Sequence, residues 1–91
     1  SVSIGSVEGP ESISARIRQV LSKGDVLRVK GFLSVTGKPM RLVVQGVGQR
    51  LETYYDRPWR PNEARTGKLV VIGLKGLDRA RISSVLVGAP S

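Results

Sequence analysis

A chain of 91 residues with 40% apolar content, 15 lysines and arginines, 7 acidic residues and a net charge of +8 has room for one small basic domain with a modest core. It contains no cysteine and no histidine. Disulfides, thiolate metal ligation, the commonest metal ligand and the usual general base at neutral pH are thereby excluded. No apolar run approaches the ~20 residues of a membrane span, and no signal peptide is visible. A cytoplasmic protein is expected. The first residue is Ser1 rather than methionine, which suggests a processed or excised chain.

Residues 1–7 begin with Val2 and Ile4 alternating with small polar residues, the pattern of a half-buried strand. Gly9-Pro10-Glu11 then opens a helix. Proline fits the first helical position, and an acid suits the positive end of the dipole. Ile13, Ile17, Val20 and Leu21 form one apolar stripe at helical period, and Gly24 marks the stop. In the next segment, Leu27, Val29, Leu33 and Val35 take one side at period two, with Arg28, Lys30, Phe32, Ser34 and Thr36 on the other. Gly31 falls on the apolar side, where it allows close packing or marks a bulge.

Gly37-Lys38-Pro39 reads as a turn. The strand after it points Leu42 and Val44 inward and Arg41 and Gln45 outward. Gly46 and Gly48 make a second turn or a bulge. A further strand places Leu51 and Tyr55 inward and Glu52 and Tyr54 outward. Residues 57–67, with two prolines, read as a loop holding Trp59. Leu69-Val70-Val71-Ile72 is apolar on both sides, which predicts a central strand buried on both faces. Asp78 is a natural N-cap for a last helix with Ile82, Val85 and Leu86 inside, and Leu77 can staple onto Ile82. Ala89-Pro90-Ser91 should fray.

This order, β-α-β-β-β-β-α, predicts an α+β fold. The sheet is mixed or antiparallel, has about five strands and carries both helices on one face. One domain over residues 1–91 is expected: strand plus helix over 1–24, a four-stranded meander over 25–75 and the last helix over 77–88. Were the first two strands parallel, the helix between them would cross over right-handed.

The motifs of chemistry are missing from the sequence. It has no G-x-x-x-x-G-K-S/T phosphate loop. Gly46-Val47-Gly48 is half a dinucleotide fingerprint, but it lies between strands and reads as a hairpin turn. The carboxylates are scattered; Glu52 and Asp56 read as ion-pair partners of Arg41 or Lys30. What stands out is the outer sheet face, with Arg28, Lys30, Phe32, Arg41, Gln45, Glu52 and Tyr54. Such a face can dock another protein, bind single-stranded RNA by stacking and phosphate contact, or be simply solvated. Lys30-Gly31-Phe32 begins like a ribonucleoprotein run that Leu33-Ser34-Val35-Thr36 does not finish. Trp59 either caps the core edge or anchors a partner.

The segments V-L-R-V-K-G-F-L (26–33), R-L-V-V-Q-G-V-G (41–48), Y-Y-D-R-P-W-R-P (54–61) and L-V-V-I-G-L (69–74), followed by Leu77-Asp78, together resemble the C-terminal domain of CobW proteins. D-R-P-W is closer to the cobalamin branch of that family than to its zinc-linked relatives. The resemblance implies a larger parent, a P-loop GTPase that hands over a metal ion. GTP, magnesium and cobalt or zinc belong to its N-terminal domain, and no cofactor to this chain. It also implies an accessory role, docking on the GTPase domain or on a metal recipient such as cobaltochelatase. Arg28, Lys30, Arg41 and Trp59 are the candidate contacts, and RNA binding is the alternative.

Overall fold

The computed structural model describes residues 1–74 and 76–88; the expected fraying of Ala89-Pro90-Ser91 falls outside them. In chain order the elements are β1 (Val2–Ile4), α1 (Pro10–Leu21), β2 (Val26–Ser34), β3 (Met40–Val47), β4 (Arg50–Pro58), β5 (Gly67–Gly73) and α2 (Arg79–Val87). They build an α+β fold, a five-stranded antiparallel sheet carrying two helices.

Both helices form where local chemistry favours them. α1 starts at Pro10 and buries Ile13, Ile17 and Val20. Past its end, Gly24 takes φ of 79°, a left-handed conformation that favours glycine. The Oδ1 of Asp78 caps α2 by accepting from the Arg81 amide at 3.0 Å. α2 ends at Gly88 in the left-handed region and buries Ile82 and Leu86. Arg16 of α1 donates to the Leu86 carbonyl at 3.4 Å, so one helix helps satisfy the exposed carbonyls of the other.

The two helices lie against each other on the same side of the sheet, α1 against β2, β3 and β4 and α2 against β1. Between them and the sheet lies one core, in which Ile13, Ile17, Val29, Leu33, Val44 and Leu69 are fully buried. Each of these large side chains contributes about 1.5–3 kcal/mol by leaving water. The inward parity expected for Leu42 and Val44 holds. Leu51 and Tyr55 likewise pack against the core, while Glu52 and Tyr54 face out.

The strand order is β1-β5-β2-β3-β4, which corrects the four-stranded meander. Only β2, β3 and β4 form a meander. β5 leaves the edge strand β4, crosses the sheet and inserts between β1 and β2. β1 and β2 therefore run in the same direction without touching as ladder partners. The slot for β5 depends on two glycines. A Cβ on Gly31 would sit 2.0 Å from the Lys68 carbonyl oxygen, and one on Gly67 would sit 2.7 Å from Leu33 Cβ. Neither position has space for a side chain.

Other expectations are corrected as well. The first strand is three residues long, and Val7 rejoins the structure through a separate parallel bridge to Val35. Val26, not Leu27, enters the core. The β2–β5 register shifts between Val26 and Arg28, and the extra residue turns Leu27 outward. β4 continues through Arg57 and Pro58 rather than stopping before them. β4 is an edge strand, where proline is tolerated. β5 is internal to the sheet but buried on one face only, since Val70 and Ile72 are exposed on the other.

Candidate docking face

The sheet face turned away from the helices is organised as three cross-strand rows. Lys68, Phe32, Val43 and Tyr54 form the first row. Val70, Lys30, Gln45 and Glu52 form the second, and Ile72, Arg28, Val47 and Arg50 the third. Antiparallel pairing holds directly opposite side chains about 4.5–5.5 Å apart at Cβ, so each row is a continuous strip. The rows carry Arg28, Lys30, Arg50 and Lys68 against the single acid Glu52. Aliphatic side chains lie between the cations: Val47 is 50% exposed, Val70 46% and Ile72 51%.

At one end this face is closed by aromatic packing. Trp59 meets Phe32 edge-on, with ring centroids 6.1 Å apart and planes at 62°. The Arg41 guanidinium lies 4.5 Å from the Phe32 ring centroid. The same guanidinium grips the Asp56 carboxylate with both arms, with Nε donating at 3.1 Å. Arg41 thereby holds the Asp56 carboxyl below its usual range. Asp56 is the extra residue where the β3–β4 register shifts. The expected pairing of Asp56 with Arg41 is thus present.

A second clamp holds the chain just beyond Trp59. Arg57 donates to the two Glu63 oxygens at 2.9 and 2.8 Å, and the Arg60 amide donates to Oε1 at 3.1 Å. These donors, Arg57 first and the Arg60 amide second, lower the Glu63 pKa from 4.5 to about 2. The same pairing raises that of Arg57. Because the folded pKa lies below the unfolded one, this clamp is fully engaged above pH 4.5 and is lost as pH falls through about 2. Protection of the Arg60 and Glu63 amides, corrected for the pH dependence of intrinsic exchange, should fall across that window in wild type. In Glu63→Gln that protection should already be low at neutral pH.

The four candidate contacts divide into two pairs. Arg28 and Lys30 are exposed, adjacent to the aliphatic positions of β5. Arg41 is engaged by Asp56 and Phe32. Trp59 is only 6% exposed, so its ring is packed within the molecule. Among the described residues the ion pairs are Arg41–Asp56, Arg57–Glu63 and Arg81–Asp25, and none takes up Arg28, Lys30, Arg50 or Lys68. Arg50, Lys68, Val70 and Ile72 were missed as members of the face. Alternation along the chain was the available signal, but it places Lys68, Val70 and Ile72 only once β5 is known to pair with β2, and Arg50 only once it is known to pair with Val47 across the β3–β4 turn.

A concavity lies elsewhere, between β5, α2 and the N-terminus. It measures ≈ 970 Å³ and is lined by Val2, Val71, Leu74, Leu77 and Ile82, with Arg79 as its charged side chain. Gly48, at φ of 60°, sits in the β3–β4 turn and not before a helix, as expected for a hairpin. Among the described residues no three acidic side chains come together as a metal-binding group, and no helix is long and apolar enough to cross a membrane.

The fold and this face define a class: a small α+β domain with helices on one side of its sheet and a basic, partly aliphatic surface on the other. The chain belongs to the cobalamin synthesis protein cobW C-terminal domain family, whose model matches residues 8–89. It is 46% identical over 85 residues to a zinc chaperone CobW of a Sinorhizobium species, covering 93% of this chain and 24% of that protein. To a zinc chaperone CobW of Pseudomonas aeruginosa it is 50% identical over 68 residues, 75% of this chain and 18% of that protein. The chain thus spans about a quarter or less of the curated relatives it matches. In structure it superposes on the Zn(II)-bound YjiA GTPase from E. coli with a TM-score of 0.77 and 27% identity, covering 99% of this chain and 28% of that one. A Zn(II)-bound triple mutant of the same GTPase gives a TM-score of 0.79 at 28% identity with the same coverage.

Proposed function

We propose that this chain is the accessory domain of a GTP-dependent metal chaperone, and that it works by docking rather than by catalysis. The observation that carries this reading is the family match over residues 8–89. It assigns the chain to the C-terminal domain, while its relatives are whole chaperones and GTPases about four times as long. GTP, magnesium and the transported metal would then bind the GTPase portion of the parent. That portion, or a metal recipient such as cobaltochelatase, would be the partner, and the work would take place in the cytoplasm. Zinc is the cargo for which the relatives are named. Cobalt is the second reading, supported by the D-R-P-W segment at 56–59 and by the family's cobalamin description.

The test is reconstitution in trans. The GTPase portion encoded with this domain is mixed with the 91-residue chain and followed by size exclusion and by GTP turnover. Co-elution, with turnover carried entirely by the GTPase portion, is the expected result. Separate elution with no change in turnover at a hundred-micromolar excess of domain counts against the reading. So does GTP hydrolysis by the isolated chain.

A further inference from the structure

We propose that the outer sheet face is the seat of an acidic amphipathic helix supplied by a separate, transiently bound protein. The inference deepens the docking role and rests on it. Three observations narrow the occupant. The first is charge: Arg28, Lys30, Arg50 and Lys68 share three adjacent rows with Glu52 as the opposing acid, and none of the four enters the ion pairs found among the described residues. A second copy of this chain would set these cations against their own images, so like-charge repulsion opposes a dimer through this face.

The second is the kind of apolar surface. Val47, Val70 and Ile72 are about half exposed and aliphatic. Bases stack on aromatic rings, and this face offers few of them. Phe32 has Trp59 against it and Arg41 over its ring, which leaves Tyr54, 47% exposed, as the open ring of the three rows, too little for a run of stacked bases. Aliphatic positions alternating with cations suit a helix that has leucine-like residues along one stripe and carboxylates beside it. The opposite sheet face already packs the aliphatic stripes of two helices.

The third is the placement of lysine. Lys30 sits in the middle row between Val70 and Gln45. A permanent interface is depleted of lysine at its centre, and burying that ammonium without a partner would be strongly unfavourable. A partner that supplies a carboxylate there and then leaves satisfies both constraints, with charge raising the association rate.

The test uses the full chain and three probes. They are a synthetic amphipathic helix with a glutamate stripe beside a leucine stripe, its glutamine counterpart, and an oligouridine. Binding is followed by amide chemical shifts at low and high salt. The expected result is that the glutamate peptide shifts residues 28–32, 43–47 and 68–72, and that its affinity falls at least tenfold in Lys30→Glu or in the glutamine peptide. Shifts confined to the groove beside α2, tighter binding of oligouridine to this face, or concentration-dependent dimerisation through it would each overturn the proposal. Absence of any shift on this face with the glutamate peptide, in a chain that still captures the GTPase portion, also removes it, yet leaves the accessory-domain reading intact.

Discussion

Gly31→Ala is expected to destabilise the domain by about 3 kcal/mol or more, a large share of the stability of so small a domain. The new methyl would lie 2.0 Å from the Lys68 carbonyl oxygen and 2.9 Å from the Leu69 Cα. Both obstacles are backbone of an internal strand, so no rotamer change relieves them. To make room, β5 has to move off β2 and give up part of the ladder between Val26–Phe32 and Lys68–Gly73. Thermal melts should show Tm lowered by roughly 15 °C or more, at the few degrees per kcal/mol of a domain this size. Gly46→Ala is the control. Its Cβ would first meet Leu21 Cδ1 at 3.1 Å, the tip of a flexible side chain that can swing aside. That variant should lose about 1 kcal/mol at most. Equal melting of Gly31→Ala and wild type would mean that β5 does not occupy the slot beside β2.

The residues made some of this legible and hid the rest for definite reasons. The α1 stripe of Ile13, Ile17 and Val20 is visible because a helix writes its buried face at fixed intervals. The parity of β3 and β4 is visible for the same reason, with period two and a turn at Gly48 between them. Leu27 misled because one inserted residue shifts the β2–β5 register, and parity beyond a bulge cannot be carried through by counting. The run Leu69–Ile72 misled because two-sided apolarity signals burial only when something covers both faces. Here Val70 and Ile72 are exposed on the face opposite the helices. Where β5 inserts is a non-local fact. Gly31 was readable as a place of close packing and Gly67 was only the end of an expected loop; the pairing geometry shows that each one makes room for the other strand's neighbours. The docking face has the same limit: Arg28 and Lys30 could be placed on it from β2 alone, whereas Lys68, Val70 and Ile72 joined it through that insertion.

Trp59→Ala is expected to reduce stability by about 3–5 kcal/mol, the range for removing a large buried aromatic ring. Sequence order makes this tryptophan a tempting partner anchor, because it stands between two prolines just past a strand. The geometry gives it a different task. Its ring is packed against Phe32, and its amide donates to the Pro39 carbonyl at 3.0 Å. That fixes the point where the chain leaves the edge strand and starts back across the sheet toward β5. Removing the ring empties the packing around Phe32 and loosens the start of the crossing, while Arg57 and Glu63 still hold the residues just beyond it. Trp59→Phe should cost much less, because the indole Nε1 has no acceptor among the described residues and only part of the ring area is lost. Urea titrations should therefore place Trp59→Ala far below wild type, with Trp59→Phe in between. Capture of a partner, corrected for the folded fraction, should be the same in all three. An anchor would behave in the opposite way: Trp59→Ala would unfold at the wild-type urea concentration and lose capture, which would move the docking surface from the open rows of Arg28 and Lys30 to this end of the sheet.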